Sequence, residues 1–117
     1  MLLTNAKILD SIPVLAQAAE EKGLLGYAVM VNLRKLRTEV AEYSQKRDEL
    51  LEEHGTAAGE GKYNLTPDAA AAFHKALEPF AILEVEVAVM QVPVEVFYGG
   101  GLTAAQMDVL SWMVKEE

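Results

Sequence analysis

Apolar residues recur at helical spacing through the opening stretch of the chain, LLTNAKILDSIPVLAQAAEEKG. The positions that follow this spacing are Ile8, Ile12, Leu15 and Ala19. Steps of three and four residues place side chains on one face, so the pattern predicts a first helix. Thr4 or Asn5 can cap its start, and Gly23 can end it. Because Pro13 removes a helical hydrogen bond, we expect a kink or a restart near Asp10–Pro13.

A longer apolar stripe follows in LLGYAVMVNLRKLRTEVAEYSQKRDELLEEHG. Its members, at alternating steps of four and three, are Val29, Leu33, Leu36, Val40, Tyr43 and Leu50. The stripe predicts a helix of about 28–30 residues, roughly 40 Å long, with Arg47 at its one polar position. The first helix can fold back along it as a helical hairpin. Beyond Tyr43 the stripe thins, and a helix from another copy of the chain becomes an alternative cover, which predicts a homo-oligomer through the long helix.

The hydrophobic period changes in the second half of the chain. GTAAGEGKYNL has the glycines of a loop, and TPDAAAAFHKALEPF predicts a short helix capped by Thr66. The apolar face of that helix comprises Ala70, Phe73, Leu77 and Phe80. In ILEVEVAVMQVPVEVF, apolar residues at 83, 85, 87 and 89 alternate with their neighbours, which predicts a half-buried strand. The valines at 92, 94 and 96 switch parity, so we expect a bulge or turn at Met90–Pro93 and a short second strand.

A Thr-x-x-Gln capping box predicts the last helix, with Thr103 as its cap and Gln106 three residues later. The apolar residues of this segment are Met107, Leu110, Trp112, Met113 and Val114. Trp112 and Met113 fit either the core, which we favour, or an exposed interaction site. Together the elements predict a single α+β domain over residues 1–117. It comprises a helical hairpin with one long helix, a small antiparallel β-sheet and a C-terminal helix that covers the sheet.

Composition narrows the classes of function. The chain has no cysteine, which excludes disulfides and thiolate metal sites. Its formal net charge is −8, with 10 basic against 18 acidic residues, which disfavours direct binding of nucleic acid. The start of the chain lacks the pattern of a signal peptide, and no apolar run is long enough to span a bilayer. We therefore expect a cytoplasmic protein of the host cell that does not contact membranes.

Three glycines before the last predicted helix have the outline of a phosphate-binding turn. The spacing of Gly99, Gly100 and Gly101 matches neither G-x-x-x-x-G-K-[ST] nor G-x-G-x-x-G, and no β-α-β unit surrounds them. A flexible corner is therefore the favoured interpretation. The alternative is a ligand site, with Tyr98 and Thr103 as the side chains best placed to assist an anion.

No familiar catalytic or metal-binding constellation is visible. Glu84 and Glu86 share one strand face, but general acid–base work needs a desolvated carboxyl group, and these residues occupy the polar positions. His54 and His74 lie in different elements and lack a metal-binding spacing. We therefore predict no catalytic residues, no metal ligands and no cofactor.

The chain resembles short bacteriophage and prophage proteins of unknown function. The resemblance rests on LTNAKILDSIPVLAQ, on the long helix with its E-x-x-x-Y-x-x-x-R-x-x-L element, on LEVEV and on LTAAQMDVLSWMV. That helical element corresponds here to Glu39, Tyr43, Arg47 and Leu50. The resemblance covers nearly the whole chain and implies a phage-encoded accessory protein that acts by binding, without known catalytic residues.

These observations predict a non-enzymatic interaction protein that binds and inhibits a host factor, such as a defence nuclease, through an acidic surface. The candidate partner-binding carboxylates are Glu49, Glu52, Glu53, Glu84 and Glu86. A structural or assembly protein of the virion, with a phage protein as its partner, is one alternative. An oligomer that sequesters a small nucleotide signal at Gly99–Gly101 is another.

Overall fold

The computed structural model describes residues 1–59 and 62–115. Two antiparallel helices form its frame: α1, Asn5–Gln17, and α2, Gly23–His54. Thr4 caps α1 by accepting a hydrogen bond from the Lys7 N–H at 3.1 Å, as the sequence predicts. A 3₁₀ turn, Ala18–Glu20, joins the helices. The predicted helical hairpin and the long helix are confirmed.

Two details of the first hairpin differ from the prediction. The expected restart is wrong, since α1 continues through Pro13, whose ring lies exposed on the outer side of the helix. Gly23 does not end the first helix; it begins α2, with a φ of +67° that favours glycine. The reversal is therefore made by the 3₁₀ turn and a left-handed glycine together.

Helix α2 is 32 residues long and carries the core on one stripe. All six predicted apolar positions of that stripe, from Val29 to Leu50, are buried. Helix α3, Pro67–Ala81, packs along α2 and begins at the predicted Thr66 cap. Leu50 is buried within the chain's own core, so the end of the stripe does not require a partner helix. Homo-oligomerisation through α2 stays an untested prediction.

In the described part of the chain, three pairs of short strands complete the fold. Strand β1, Leu2–Thr4, pairs antiparallel with β4, Glu84–Glu86. Strand β2, Thr56–Ala57, pairs antiparallel with β3, Tyr63–Asn64, inside the segment predicted as a loop. Strand β5, Val92–Pro93, pairs parallel with β6, Val114–Lys115. The alternation predicted for residues 83–89 is confirmed at Val85 and Val87, which point inward, and at Glu84 and Glu86, which are exposed. It is wrong at Leu83, which is 55% exposed, and the strand spans only Glu84–Glu86.

The predicted second strand over residues 92–96 is wrong beyond Pro93. Residues Val94–Tyr98 form a short helix, α4, which buries Phe97 completely. The valines at 92, 94 and 96 suit a strand by propensity, but only Val92 of the three is fully buried. Burial of Phe97 therefore overrides the local β preference, which depends strongly on context.

The last helix is shorter than predicted. The capping box of Thr103 and Gln106 is confirmed, but α5 spans only Ala104–Val109 and gives way to a 3₁₀ turn, Ser111–Met113. Trp112, Met113 and Val114 are all buried, and three consecutive residues of an α-helix cannot share one face. The turn and strand β6 bury all three, so Trp112 and Met113 belong to the core. The Trp112 indole N–H donates to the buried Ser11 Oγ at 3.1 Å.

Candidate protein-binding surface and the glycine turn

The glycine turn is filled by a carboxylate of the chain itself. The Gly101 N–H donates to Glu21 Oε1 at 2.6 Å, across 80 positions of sequence. A Cβ at Gly101 would lie 2.7 Å from Glu21 Oε2, and one at Gly100 would lie 3.0 Å from Oε1. A side chain at Gly101 would therefore displace the Glu21 carboxylate, and one at Gly100 would collide first with the Leu25 side chain. The glycines change the direction of the chain and leave space for the Glu21 carboxylate.

Tyr98 and Thr103, the predicted helpers of an external anion, have other surroundings. Tyr98 is largely exposed and contacts Phe97 edge to face, with ring centroids 5.1 Å apart. Thr103 Oγ1 accepts from the Gln106 N–H at 3.1 Å, and the Thr103 N–H donates to Gln106 Oε1 at 2.9 Å. Thr103 therefore serves the cap of α5. These contacts support the interpretation of the segment as a corner.

The predicted acidic residues lie on two separate elements. Glu49, Glu52 and Glu53 are exposed on the last turns of α2, where Glu49 lies 4.0 Å from Lys46 Nζ. Glu84 and Glu86 are exposed on β4, where Glu86 Oε1 lies 2.7 Å from the Met1 amino group. Both groups thus face solvent, as the sequence predicts.

A cleft of about 450 Å³ separates β4 from the middle of α2. Its lining residues are Asn5, Glu39, Glu42, Tyr43, Lys46, Phe80, Leu83 and Val85. Lys46 Nζ lies 5.3 Å above the centroid of the Phe80 ring, an arrangement typical of a cation–π contact. Burial raises the pKa of the Tyr43 phenol, an effect that the nearby Arg47 opposes. Sequence reasoning missed this cleft, because its two walls come from elements about 40 residues apart.

A second depression continues the cleft toward the start of α2. It is lined by Arg34, Lys35, Thr38, Glu39, Val87 and Ala88. Glu39 borders both depressions, which therefore adjoin between α2 and the extended segment 83–88 and are together called the groove. The two walls run in opposite directions, since higher residue numbers on α2 face lower numbers on the strand.

One edge of β4 is occupied by β1, and no other strand of the described residues pairs with its second edge. The Val87 N–H donates to Met1 O at 2.8 Å, and the Asn5 N–H donates to Leu83 O at 3.0 Å. In an antiparallel ladder, hydrogen-bonded pairs alternate with pairs whose backbone groups point outward. The backbone groups of Glu84 and Glu86 therefore point to the outer edge. Within residues 1–59 and 62–115, no protein group bonds to them there.

Farther along, α2 occupies the same outer edge with its own side chains. The Met90 N–H donates to Asn32 Oδ1 at 2.7 Å, and Asn32 Nδ2 donates to Met90 O at 2.9 Å. Lys35 Nζ donates to Ala88 O at 2.7 Å. The carboxamide of Asn32 thus replaces a neighbouring strand at Met90, where the sequence predicts a bulge or turn. In the sequence, the only sign of this contact is that Asn32, a polar residue, directly precedes Leu33 of the apolar stripe.

No protein-family model, curated protein or solved structure matches the chain. Within the described part of the chain, no helix is long and apolar enough to cross a membrane. The same residues contain no group of three or more His, Asp or Glu side chains placed to hold a metal ion.

Proposed function

We propose that this chain is a non-enzymatic protein-binding module that recognises a basic surface of a partner through its exposed carboxylates. The observation that carries the proposal is the display of Glu49, Glu52, Glu53, Glu84 and Glu86 in solvent. Among the described residues, only Glu49 and Glu86 have a cationic group within 4.0 Å. Unpaired exposed carboxylates retain their charge for a partner, and such charges mainly increase the rate and specificity of association.

The partner is proposed to be a host factor, such as a defence nuclease, that the chain inhibits. Support for this identity comes from the resemblance to short phage proteins, and the net charge of −8 agrees with a nucleic-acid-binding partner. A protein that normally binds phosphate groups has a basic surface, and carboxylates can compete for that surface.

The test is affinity capture from a bacterial lysate at low salt, followed by binding titrations with each purified captured protein. The informative variant replaces Glu49, Glu52 and Glu53 with glutamine. A matched control, Glu20→Gln with Glu95→Gln and Asp108→Asn, removes the same charge from exposed positions elsewhere. We expect affinity to fall as salt rises and to fall about tenfold in the first variant only.

An affinity that is independent of salt, or equal losses in both triple variants, would contradict a specific acidic interface. Binding to a phage structural protein without salt dependence would instead favour the virion alternative. Native mass spectrometry of the gently isolated protein tests the nucleotide alternative. That alternative predicts an oligomer whose mass exceeds a whole multiple of the chain mass by roughly the mass of a bound nucleotide, a few hundred daltons.

A further inference from the structure

The outer edge of β4 lies beside the groove, so outward-pointing backbone groups are next to exposed apolar side chains. The backbone N–H and C=O groups of Glu84 and Glu86 point outward along this edge. Leu83 and Phe80, at the end of the groove, are 55% and 36% exposed. An open strand edge next to apolar side chains is the arrangement that accepts an extended peptide as an additional strand.

We propose that the edge of β4 binds an extended, basic segment of a partner protein as a third strand of the β1–β4 sheet. This inference rests on the proposed function and specifies where and in what conformation the partner binds. The partner's backbone would pair with Glu84 and Glu86, as the Asn32 carboxamide pairs with Met90 farther along the same edge.

The charges around the groove select the chemistry of the added strand. Side chains on its outer face would lie beside Glu84, which has no cationic group of the described residues within 4.0 Å, and beside Glu86, which pairs with the Met1 amino group. Lysine or arginine is therefore favoured there, most strongly beside Glu84. Side chains on its inner face would lie over Leu83 and Val85, where apolar residues are favoured. Beside Glu84 and Glu86, the opposite wall adds the negative charges of Glu39 and Glu42, while Lys46 is engaged with Phe80 and Glu49. The positive charges of Arg34 and Lys35 lie farther along the groove, next to Val87 and Ala88.

A second copy of this chain does not suit the same edge. Pairing β4 with β4 would place Glu84 and Glu86 of one copy beside those of the other, and like charges on neighbouring strands are destabilising. Charged residues on an edge strand also discourage self-association in general. The two glutamates therefore oppose self-pairing and favour a basic strand.

The test measures fluorescence anisotropy of a short fluorescein-labelled peptide of alternating lysine and valine. Glu84→Pro removes the outward N–H and obstructs the edge, at the first residue of a strand, where proline is tolerated. Glu84→Gln is its matched control, which loses the charge and keeps the N–H. We expect saturable binding to the native protein, a loss of about threefold with glutamine and a loss of about tenfold or more with proline.

The melting temperature and circular dichroism of both variants establish that they are folded. If the proline variant fails to fold, the same peptide with methylated backbone nitrogens tests pairing on the native protein, and we expect it to bind at least about tenfold more weakly. Equal affinities of the proline and glutamine variants, equal binding of an alternating glutamate–valine peptide, or unaltered binding of the methylated peptide would each overturn the proposal. Dimerisation of the chain through β4 would overturn it as well.

The two proposals fail separately. If the peptide does not bind but a captured partner still depends on Glu49, Glu52 and Glu53, the acidic interface stands and the β4 edge is not part of it. If the peptide binds through the edge but no partner responds to those three residues, the strand site stands and the acidic end of α2 is not involved.

Discussion

The segment from Glu84 to Met90 presents one edge to α2, but the backbone groups at the two ends of that edge differ in their hydrogen-bond partners. At Met90 the backbone N–H and C=O both bond to the Asn32 carboxamide, and at Ala88 the carbonyl accepts from Lys35. At Glu84 and Glu86 the facing wall of α2 carries the carboxylates of Glu39 and Glu42 and the amino group of Lys46, and no described residue bonds to the outward backbone groups. The same strand edge is closed at one end and available at the other.

The difference arises from which side chains α2 offers at each position. An asparagine can both donate and accept, so one residue replaces a whole strand partner at Met90. A carboxylate only accepts, so Glu39 and Glu42 cannot bond to the carbonyl groups of β4. The glycine turn resembles the closed end, because Glu21 bonds to the Gly101 N–H. Backbone N–H and C=O groups are candidates for binding another protein only where no group of the same chain forms hydrogen bonds with them.

The closed end is tested most strongly by Asn32→Leu. The substitution keeps the number and branching of the side-chain heavy atoms and leaves the Met90 N–H and C=O without their Asn32 partners. Unsatisfied buried groups cost about 1–3 kcal/mol each, so we expect a loss of about 3 kcal/mol in the free energy of unfolding. Urea denaturation measures the loss. Asn64→Leu, at an exposed position, is the control and should change stability by less than about 0.5 kcal/mol. Equal effects of the two substitutions would show that the hydrogen bonds between Asn32 and Met90 do not stabilise the protein.

The acidic wall of the groove is tested by Glu39→Gln combined with Glu42→Gln. Removing these charges weakens the attraction for a basic strand, and we expect the lysine–valine peptide to bind about fivefold more weakly. The matched control is Glu52→Gln with Glu53→Gln, which removes the same charge from the end of α2. If both double variants lost the same affinity, net charge rather than the groove would govern binding.

The boundary between the closed and open ends is tested by Lys35→Met. This change frees Ala88 O and removes a positive charge from the groove, so we expect the peptide to bind about threefold more tightly. Arg37→Met removes the same charge from an exposed position of α2 that does not line the groove. Weaker binding after Lys35→Met would mean that Lys35 contacts the peptide favourably and does not limit the site.

The smallest expected effect concerns Tyr43 on the floor of the groove. Because burial raises the pKa of this phenol, its neutral form is favoured in the folded state. Its contribution to stability is therefore fully present below the ordinary tyrosine pKa of about 10 and is lost as the pH rises through the higher folded value. Tyr43→Phe should reduce the loss of stability above about pH 10, as measured by urea midpoints. The control Tyr27→Phe, on an exposed ring, should leave that loss unchanged.

The sequence predicts the parts of this fold that depend on periodicity. The stripe on α2, the caps at Thr4, Thr66 and Thr103, and the inward positions of β4 all follow from spacing alone. Strands of two residues, such as β5 and β6, carry no period and were not predictable. Their pairing depends on bringing Val92 beside Val114 in the finished core.

The candidate site is less visible in the sequence, for a physical reason. The polar positions Glu84 and Glu86 were identified as exposed, but an open edge depends on which strand occupies the other side of β4. That strand is β1, three residues long and about 80 positions away. The contact between Glu21 and Gly101 likewise joins distant residues and leaves no local signal.

Amide hydrogen exchange, resolved by residue with NMR, tests most directly whether the outer edge of β4 is open and accepts a strand. In the free protein, we expect the amides of Glu84 and Glu86 to exchange rapidly while those of Val85, Val87 and Met90 are protected. Addition of the lysine–valine peptide should slow exchange at Glu84 and Glu86. Protection of these two amides in the free protein, or unchanged exchange at saturating peptide, would contradict the assignment of this edge as a binding site.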